Sequence, residues 1–247
     1  MYDAVVASIE EHYEKLLARH YAWMRGDHGS LVREYRGFFE QAGISPRSGG
    51  RALDLGAGSG LQSLALAELG FEVLAVDTSE TLVEELRTRA GEGRVRPILG
   101  DMRDRRMYTD DGPFEVAVCM GDTLTHLRSF GEVESLLEDV RMALESEGIL
   151  ILEFRDYTAE LRGADRAIPV RLDDERIMAT FLEYETERVN VHDIIFVRQE
   201  FGWEMQKSVY AKLRLRTGEI LDILEQNGFR VVEHNGDKGF TRMVARA

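Results

Sequence analysis

The stretch "RALDLGAGSGLQSLALAELGFEVLAVDTSE", Arg51 to Glu80, decides the fold class of this 247-residue chain. A short apolar run enters a turn that holds three glycines, Gly56, Gly58 and Gly60, and a helical apolar pattern follows. A second apolar run then ends at Asp77. This order predicts a buried strand, a tight turn, a helix and a second, parallel strand.

The segments after Glu80 continue this alternation. Apolar runs predict strands at "VRPILGD", "FEVAVCM" and "ILILEFRD", and Pro97 indicates that the first of these is incompletely paired. Ser129 and Glu132, in capping-box spacing, open a helix that we expect to end at Gly148. "FRVVEH" and "FTRMVAR" complete the sheet. We therefore expect an α/β fold, a Rossmann-like seven-stranded sheet with helices on both faces.

Two regions depart from the alternation. Residues 1–48, with Val5, Ile9 and Leu16 at helical spacing, predict an N-terminal helical lid, and residues 49–247 the main domain. Asp27 or Ser30 is placed to cap the second helix of the lid. Within residues of about 165–216, the segments "FLEYETERV" and "KSVYAKLRLR" alternate apolar and polar side chains, which predicts an antiparallel β insertion with one dry face.

The bulk composition limits the partners. A net charge of −14 argues against binding to nucleic acid. Cys119 is the only cysteine, and the longest apolar runs are far below the ~20 residues of a membrane-spanning helix. The acidic N-terminal stretch does not resemble a secretory signal. These features predict a cytoplasmic protein away from membranes, with a homo-oligomer left open.

The glycine turn predicts a ligand at the backbone. Its glycines remove side chains where a ligand must approach, and the helix that follows offers free N–H groups. Asp77, at the end of the next strand, can accept hydrogen bonds from both hydroxyls of a ribose. The cofactor-binding residues expected in these two turns are Asp54, Gly56, Ala57, Gly58, Gly60, Asp77 and Thr78.

The spacing of the turn distinguishes between two cofactor classes. A dinucleotide site requires G-x-G-x-x-G, whereas here the spacing is G-x-G-x-G and Leu61 takes the place of the last glycine. Asp54 places a negative charge before the turn, which disfavours a pyrophosphate and suits a ligand with an ammonium and a sulfonium. S-adenosylmethionine is such a ligand, and the sequence predicts it as the cofactor.

The next two turns agree with this cofactor. Asp101 can bind the adenine amine and Met102 can lie against the ring, since both follow strand three. Met120 and Gly121 follow strand four, where the methionine end of the cofactor and the methyl acceptor are expected to meet.

"LDLGAGSG", Asp77 and "GDM" together resemble the class I S-adenosylmethionine-dependent methyltransferases, from Arg51 to about Arg155. A narrower resemblance is to the glycine and glycine/sarcosine N-methyltransferases, through "GDTLTHL", "FRDYTAEL", Gly26-Asp27 with Glu34-Tyr35, and "NGDKGF". The resemblance implies a methyltransferase sheet and methyl transfer to a small molecule, most simply the amine of an amino acid. Two positions depart from the pattern: Asp122 replaces the family's asparagine, and Leu31 replaces an arginine.

Three residues are the catalytic candidates. Arg155 ends strand five, where the resemblance implies an arginine that holds the acceptor's carboxylate. Asp122 is expected to attract a cationic amine and accept its proton, and Tyr210, on the polar face of the insertion, to reach the acceptor. Direct displacement at the methyl group requires no metal, and none is predicted.

The departures keep other functions open. The acceptor can be an oxygen of a small carboxylate, phosphonate or hydroxyl compound. The protein can also be a module that binds the cofactor without turnover.

Overall fold

The computed structural model describes residues 7–47, 49–237 and 239–247. The first six residues of the predicted lid, including Val5, lie outside these ranges. Ser48 and Lys238 also lie outside them, and Lys238 belongs to the segment "NGDKGF". In chain order the strands are β1 Arg51–Leu55, β2 Glu72–Asp77, β3 Val95–Leu99, β4 Phe114–Cys119, β5 Leu144–Arg155, β6 Ala167–Leu172, β7 Arg176–Tyr184, β8 Arg188–Gln199, β9 Gly202–Leu213, β10 Arg230–Asp237 and β11 Phe240–Arg246. The α-helices are α1 Ile9–His12, α2 Ala18–Arg25, α3 His28–Gln41, α4 Leu61–Glu68, α5 Glu80–Ala90, α6 Phe130–Ala143 and α7 Thr217–Gln226.

The described strands form two sheets. The main sheet has the order β10-β11-β5-β4-β1-β2-β3, and β1 to β5 run parallel while β11 pairs antiparallel with β5 and β10. The strand β3, which contains Pro97, lies at the edge of this sheet, where a missing donor is tolerated. The predicted seven-stranded α/β fold with an antiparallel insertion is confirmed.

Apolar side chains pack helices on both faces of the main sheet. On one face Leu66 of α4 and Phe39 of α3 are fully buried, and on the other Leu136 of α6 and Leu224 of α7 are buried to the same degree. Each such side chain stabilises the fold by about 1.5–3 kcal/mol. Helix α6 ends at Ala143, five residues before the predicted stop at Gly148, because β5 already begins at Leu144, which pairs with Phe114.

The N-terminal segment is helical from Ile9 to Arg25, with a π-helical turn at Tyr13–Leu17 between α1 and α2. Asp27 caps α3, because its side chain accepts a hydrogen bond from the N–H of Ser30 at 2.8 Å. This is the capping arrangement that the sequence predicts.

The second sheet has the order β6-β7-β8-β9 and is antiparallel throughout. Its inner face carries Met178 and Ile195, which pack on Leu16 and Leu17 of the N-terminal segment. Its outer face leaves Trp203 and other apolar side chains exposed. A homo-oligomer stays a prediction.

The alternation predicts β9 correctly, and Val209 and Leu213 of the expected dry face are buried, but the opposite face is buried as well. Tyr210 and Lys212 lie on the inner face of the sheet and are buried. The N-terminal helical segment covers this face, and Tyr210 stacks on His12 with ring centroids 3.9 Å apart. The face that the sequence predicts to be polar is therefore buried at Tyr210, because a helical segment distant in sequence covers it.

No helix in the described ranges combines the length and the apolar character that crossing a bilayer requires.

Candidate active site

A cavity of about 330 Å³ lies at the carboxyl ends of β1, β2 and β4. This is the edge at which open α/β sheets bind ligands. The N-terminal segment closes one side of the cavity through Tyr13, Tyr21 and Arg25, and β9 contributes Lys212. We divide the cavity into two halves, named for the ligands that the sequence predicts: a cofactor half at the glycine turn, and an acceptor half around Lys212 and His126.

The glycine turn is shaped by close packing as well as by its backbone. Gly56 has φ +72°, and a Cβ atom added there would lie 2.1 Å from Cγ2 of Thr123. Gly60 has φ +86°, and a Cβ atom there would lie 2.1 Å from Cδ1 of Leu86. Gly56, Ala57 and Gly58 line the cavity. Gly60 does not belong to this lining and instead lets α4 approach α5.

Asp77 lies where a ribose is expected. One carboxylate oxygen accepts the N–H of Gly58 at 2.8 Å, and the other accepts the N–H of Ser79 at 2.9 Å. Each oxygen keeps a further lone pair, and Asp77 and the neighbouring Thr78 line the cavity. Burial raises the pKa of Asp77, although these backbone N–H groups oppose the shift.

Asp54 is placed differently from the prediction. Its side chain is buried beneath the turn, accepts the hydroxyl of Ser63 at 2.5 Å, and is not part of the cavity lining. Burial raises the pKa of Asp54 to about 7. Asp54 therefore orders the first turn of α4 and carries only part of the negative charge that the sequence assigns to it.

The adenine turn and the turn after β4 contribute the remaining predicted cofactor residues. Asp101, Met102, Met120 and Gly121 all line the cavity. The guanidinium of Arg103 forms an ion pair with Asp101, so this carboxylate is already partly engaged. The carbonyl of Met120 accepts the hydroxyl of Thr123 at 2.9 Å, which fixes the turn against Gly56.

Arg25 is a cation that the sequence did not identify. It lines the cavity, as does Tyr21. Its Nε is buried and has no partner among the described residues. A buried N–H group without a partner favours an anionic ligand group at this position.

A buried ion pair dominates the acceptor half. Nζ of Lys212 lies 2.5 Å from Oδ2 of Asp122, and both side chains are buried. Asp122 also accepts the N–H of Arg155 at 2.9 Å and the hydroxyl of Tyr157 at 3.4 Å. Although burial opposes it, Lys212 holds the pKa of Asp122 below its ordinary value, and Asp122 in turn raises the pKa of Lys212 well above the ordinary value for lysine.

His126 faces the same space. It lines the cavity, and its ring centroid lies 5.9 Å from that of Tyr13 and 5.9 Å from that of Tyr210. Burial, followed by the nearby charge of Lys212, lowers the pKa of His126 to about 3. The imidazole is therefore neutral at any pH at which the protein is expected to work.

The three predicted catalytic residues surround the cavity without lining it. Asp122 is enclosed behind Lys212, and Tyr210 is stacked on His12. The guanidinium of Arg155 lies over the ring of Phe240, 4.1 Å from its centroid. The structure brings Asp122 and the backbone of Arg155 together, but it turns the side chain of Arg155 away.

Comparison with known proteins identifies the central segment. Residues 52–148 match the family model described as "Methyltransferase domain". This central segment is similar in sequence to methyltransferase domains. The predicted resemblance to class I methyltransferases is thereby confirmed.

Curated relatives of the methyltransferase domain match over part of their length. A putative methyltransferase of Bacillus subtilis (YqeM) is 36% identical over 105 residues, which are 42% of this chain and 42% of the relative. A glycine/sarcosine N-methyltransferase of Halorhodospira halochloris is 31% identical over 135 residues, 53% of this chain and 49% of the relative. The matched part of the chain thus spans half the length of these relatives or less.

Solved structures match the fold over most or all of the chain. The S-adenosylmethionine-bound amino pentose methyltransferase CalS10 of Micromonospora echinaspora covers 100% of this chain and 99% of its own, with a TM-score of 0.69. At 17% identity this likeness concerns the fold alone.

The residues that sequence reasoning missed are Arg25, Lys212 and the role of His126. Lys212 alternates with apolar residues in β9, which made it look like a solvated lysine. His126 does lie within "GDTLTHL", the segment that the resemblance assigns to the acceptor. For Arg25 and Lys212 the sequence carries no local signal, because both reach the cavity from remote elements.

Proposed function

We propose that the chain transfers a methyl group from S-adenosylmethionine to a small molecule, most simply to the amine of an amino acid or a related small amine. The observation that carries this proposal is the cofactor half of the cavity. It combines a glycine turn that excludes side chains, a strand-end carboxylate with free lone pairs at Asp77, and the half-buried Arg25, whose buried Nε–H has no partner among the described residues.

These groups fit the parts of the cofactor. Asp77 would hold the ribose hydroxyls, Met102 and Asp101 would border the adenine, and Arg25 would bind the carboxylate of the methionine end. When bound, this cofactor supplies a methyl group on a sulfonium, which an acceptor lone pair can take by direct displacement. The N-terminal segment, which lines the cavity, would act as a lid and exclude water.

The protein's own contribution on the acceptor side is positioning. The neutral ring of His126 can accept a hydrogen bond from an amine N–H and so orient the nitrogen lone pair. With a pKa of about 3 it does not retain a proton, so the acceptor must arrive with its lone pair free or lose its proton to water. Orienting the two reactants can lower the activation free energy by up to about 7–11 kcal/mol.

A second candidate is methyl transfer to an oxygen acid. It is favoured by Lys212, a buried cation in the acceptor half that would stabilise an anionic acceptor. Relatives named as glycine/sarcosine N-methyltransferases support the amine as the first candidate.

The experiment is direct. The purified chain is incubated with S-adenosylmethionine carrying a labelled methyl group and with matched amine, carboxylate, phosphonate and hydroxyl acceptors, and the methylated product is identified. Label in an amine supports the first candidate, and label only in oxygen acids supports the second. Calorimetric binding without turnover on any acceptor would contradict both and support a binding module.

A further inference from the structure

The acceptor half contains a buried ammonium with spare hydrogen-bond donors. Lys212 is 8% exposed and lines the cavity, while its partner Asp122 does not. An ammonium has three N–H groups. Within the described ranges Lys212 donates to one acceptor, Asp122, so donors remain for a ligand on the cavity side.

Asp122 cannot perform the task that the sequence suggests for it. Its carboxylate is already bound by Lys212, by the N–H of Arg155 and by the hydroxyl of Tyr157. A cationic amine would have to displace Lys212 from this carboxylate. The ion pair therefore presents its positive end, not its negative end, to the cavity.

The surroundings of Lys212 strengthen its attraction for an anion. Tyr210 and Tyr157 lie beside it, and burial, acting first on each, raises their pKa values, so both stay neutral. His126 is neutral as well. In such a poorly hydrated wall a charge-assisted hydrogen bond to an anion is stronger than at the surface.

The opening of the cavity is also cationic. Arg128 and Arg188 line it and are exposed, and a guanidinium N–H of Arg188 donates to the carbonyl of Arg128 at 2.8 Å. In a chain with a net charge of −14, two guanidinium groups here favour the approach of an anion.

We propose that Lys212 is the residue that selects the methyl acceptor, by binding an oxyanion, a carboxylate or a phosphate, carried by the acceptor close to the methylated atom. This inference rests on the proposed function and narrows its substrate class to anionic acceptors. It transfers to Lys212 the role that the sequence assigns to Arg155, whose side chain packs on Phe240 instead.

The test compares acceptor pairs in which one compound carries an anionic group that the other lacks. Glycine is compared with glycinamide, and O-phosphoethanolamine with ethanolamine, by calorimetry on the free protein and on protein loaded with S-adenosylhomocysteine. Steady-state methylation follows for the same four compounds. The variants are the double variant Lys212→Met/Asp122→Asn, which removes the ion pair without leaving a lone buried charge, and Lys212→Arg, which keeps the cation. The matched control is Lys207→Met, an exposed lysine on the same strand.

The wild type is expected to bind one anionic compound at least about tenfold more tightly than its neutral counterpart. The double variant should lose this preference and raise the Michaelis constant for the anionic acceptor about 10- to 100-fold, with cofactor affinity unchanged. Lys212→Arg should retain most of the preference, and Lys207→Met all of it.

Three results would overturn the assignment: no preference for either anion in the wild type, an unchanged preference in the double variant, or a loss confined to cofactor affinity. Failure of the proposed function is visible separately, as absence of S-adenosylhomocysteine binding or as binding without turnover of any acceptor. In that case the titrations of the free protein still decide whether Lys212 binds the anion.

Discussion

The two halves of the cavity are built in different ways. The cofactor half joins residues that are close in sequence, as in the hydrogen bond from Gly58 to Asp77, 19 positions apart. The acceptor half joins remote residues, as in the ion pair of Asp122 with Lys212, 90 positions apart. A motif can therefore define the cofactor half, whereas the acceptor half depends on the insertion and the N-terminal segment closing over the sheet.

The largest effect is expected when the acceptor half is broken at its ion pair. Lys212→Met should lower the free energy of unfolding by about 3–5 kcal/mol, because it leaves the buried carboxylate of Asp122 without its cation. Urea unfolding at pH 8 measures this loss, with Lys207→Met as the control. Adding Asp122→Asn should restore much of the stability, and a double variant as unstable as the single one would contradict the argument.

The loss of stability in Lys212→Met is expected to depend on pH. In the wild type the pKa of Asp122 is lowered, so its contribution to stability is present above the ordinary pKa and is lost as the pH falls through the folded pKa. The pKa of Lys212 is raised, so its contribution is lost only as the pH rises above the ordinary lysine range. In Lys212→Met burial acts on Asp122 without the opposing cation and raises its pKa, so the stability deficit should be smaller at pH 5 than at pH 8. The double variant should show no such change.

The packing of the glycine turn in the cofactor half can be tested by adding a methyl group at Gly56. Gly56→Ala should lower the free energy of unfolding by about 2–5 kcal/mol. This is the sum of the strain of a left-handed backbone and of overpacking against Thr123. Gly43→Ala is the matched control, because Gly43 has a nearly equal φ of +71° with nothing within 4 Å of an added Cβ. Thermal unfolding of both variants separates backbone strain from packing. Equal losses would show that the contact with Thr123 is unimportant.

The ribose assignment predicts a loss of affinity. Asp77→Ala should weaken binding of S-adenosylmethionine by about 2–4 kcal/mol, the contribution of one or two charge-assisted hydrogen bonds. Isothermal titration calorimetry measures the loss, with the exposed Asp110→Ala as the control. A folded variant with unchanged affinity would place the ribose elsewhere.

The smallest effect is expected at Arg155. Arg155→Ala removes a contact with the ring of Phe240 and should cost about 0.5–1 kcal/mol of stability. The Michaelis constants for acceptor and cofactor should stay within about twofold of the wild-type values, since twofold corresponds to well under 1 kcal/mol. A large rise for an anionic acceptor would return the anchoring role to Arg155 and remove it from Lys212.

Sequence reasoning succeeded where the physical cause is local. The turn at Gly56 to Gly60 and the strand ending at Asp77 follow from apolar period, glycine placement and helix capping, all of which act over a few residues. The cap at Asp27 is of the same kind. Asp54 shows the limit: its side chain is buried beneath the turn, so it does not line the cavity, and burial raises its pKa to about 7.

The chain's own sequence determined the parallel sheet, the order of strands and helices along the chain, and the carboxyl edge of the sheet at which the glycine turn leaves the backbone open to a ligand. Only the tertiary structure decided which remote side chains line the rest of the cavity. Lys212 lines the cavity because the N-terminal segment covers the inner face of the second sheet. Arg155 does not line it, because its guanidinium packs on Phe240, its neighbour on the adjacent strand β11. A local pattern indicates where a strand lies and which of its side chains share a face. Whether that face is covered depends on contacts with a distant segment, and neither segment's pattern shows those contacts.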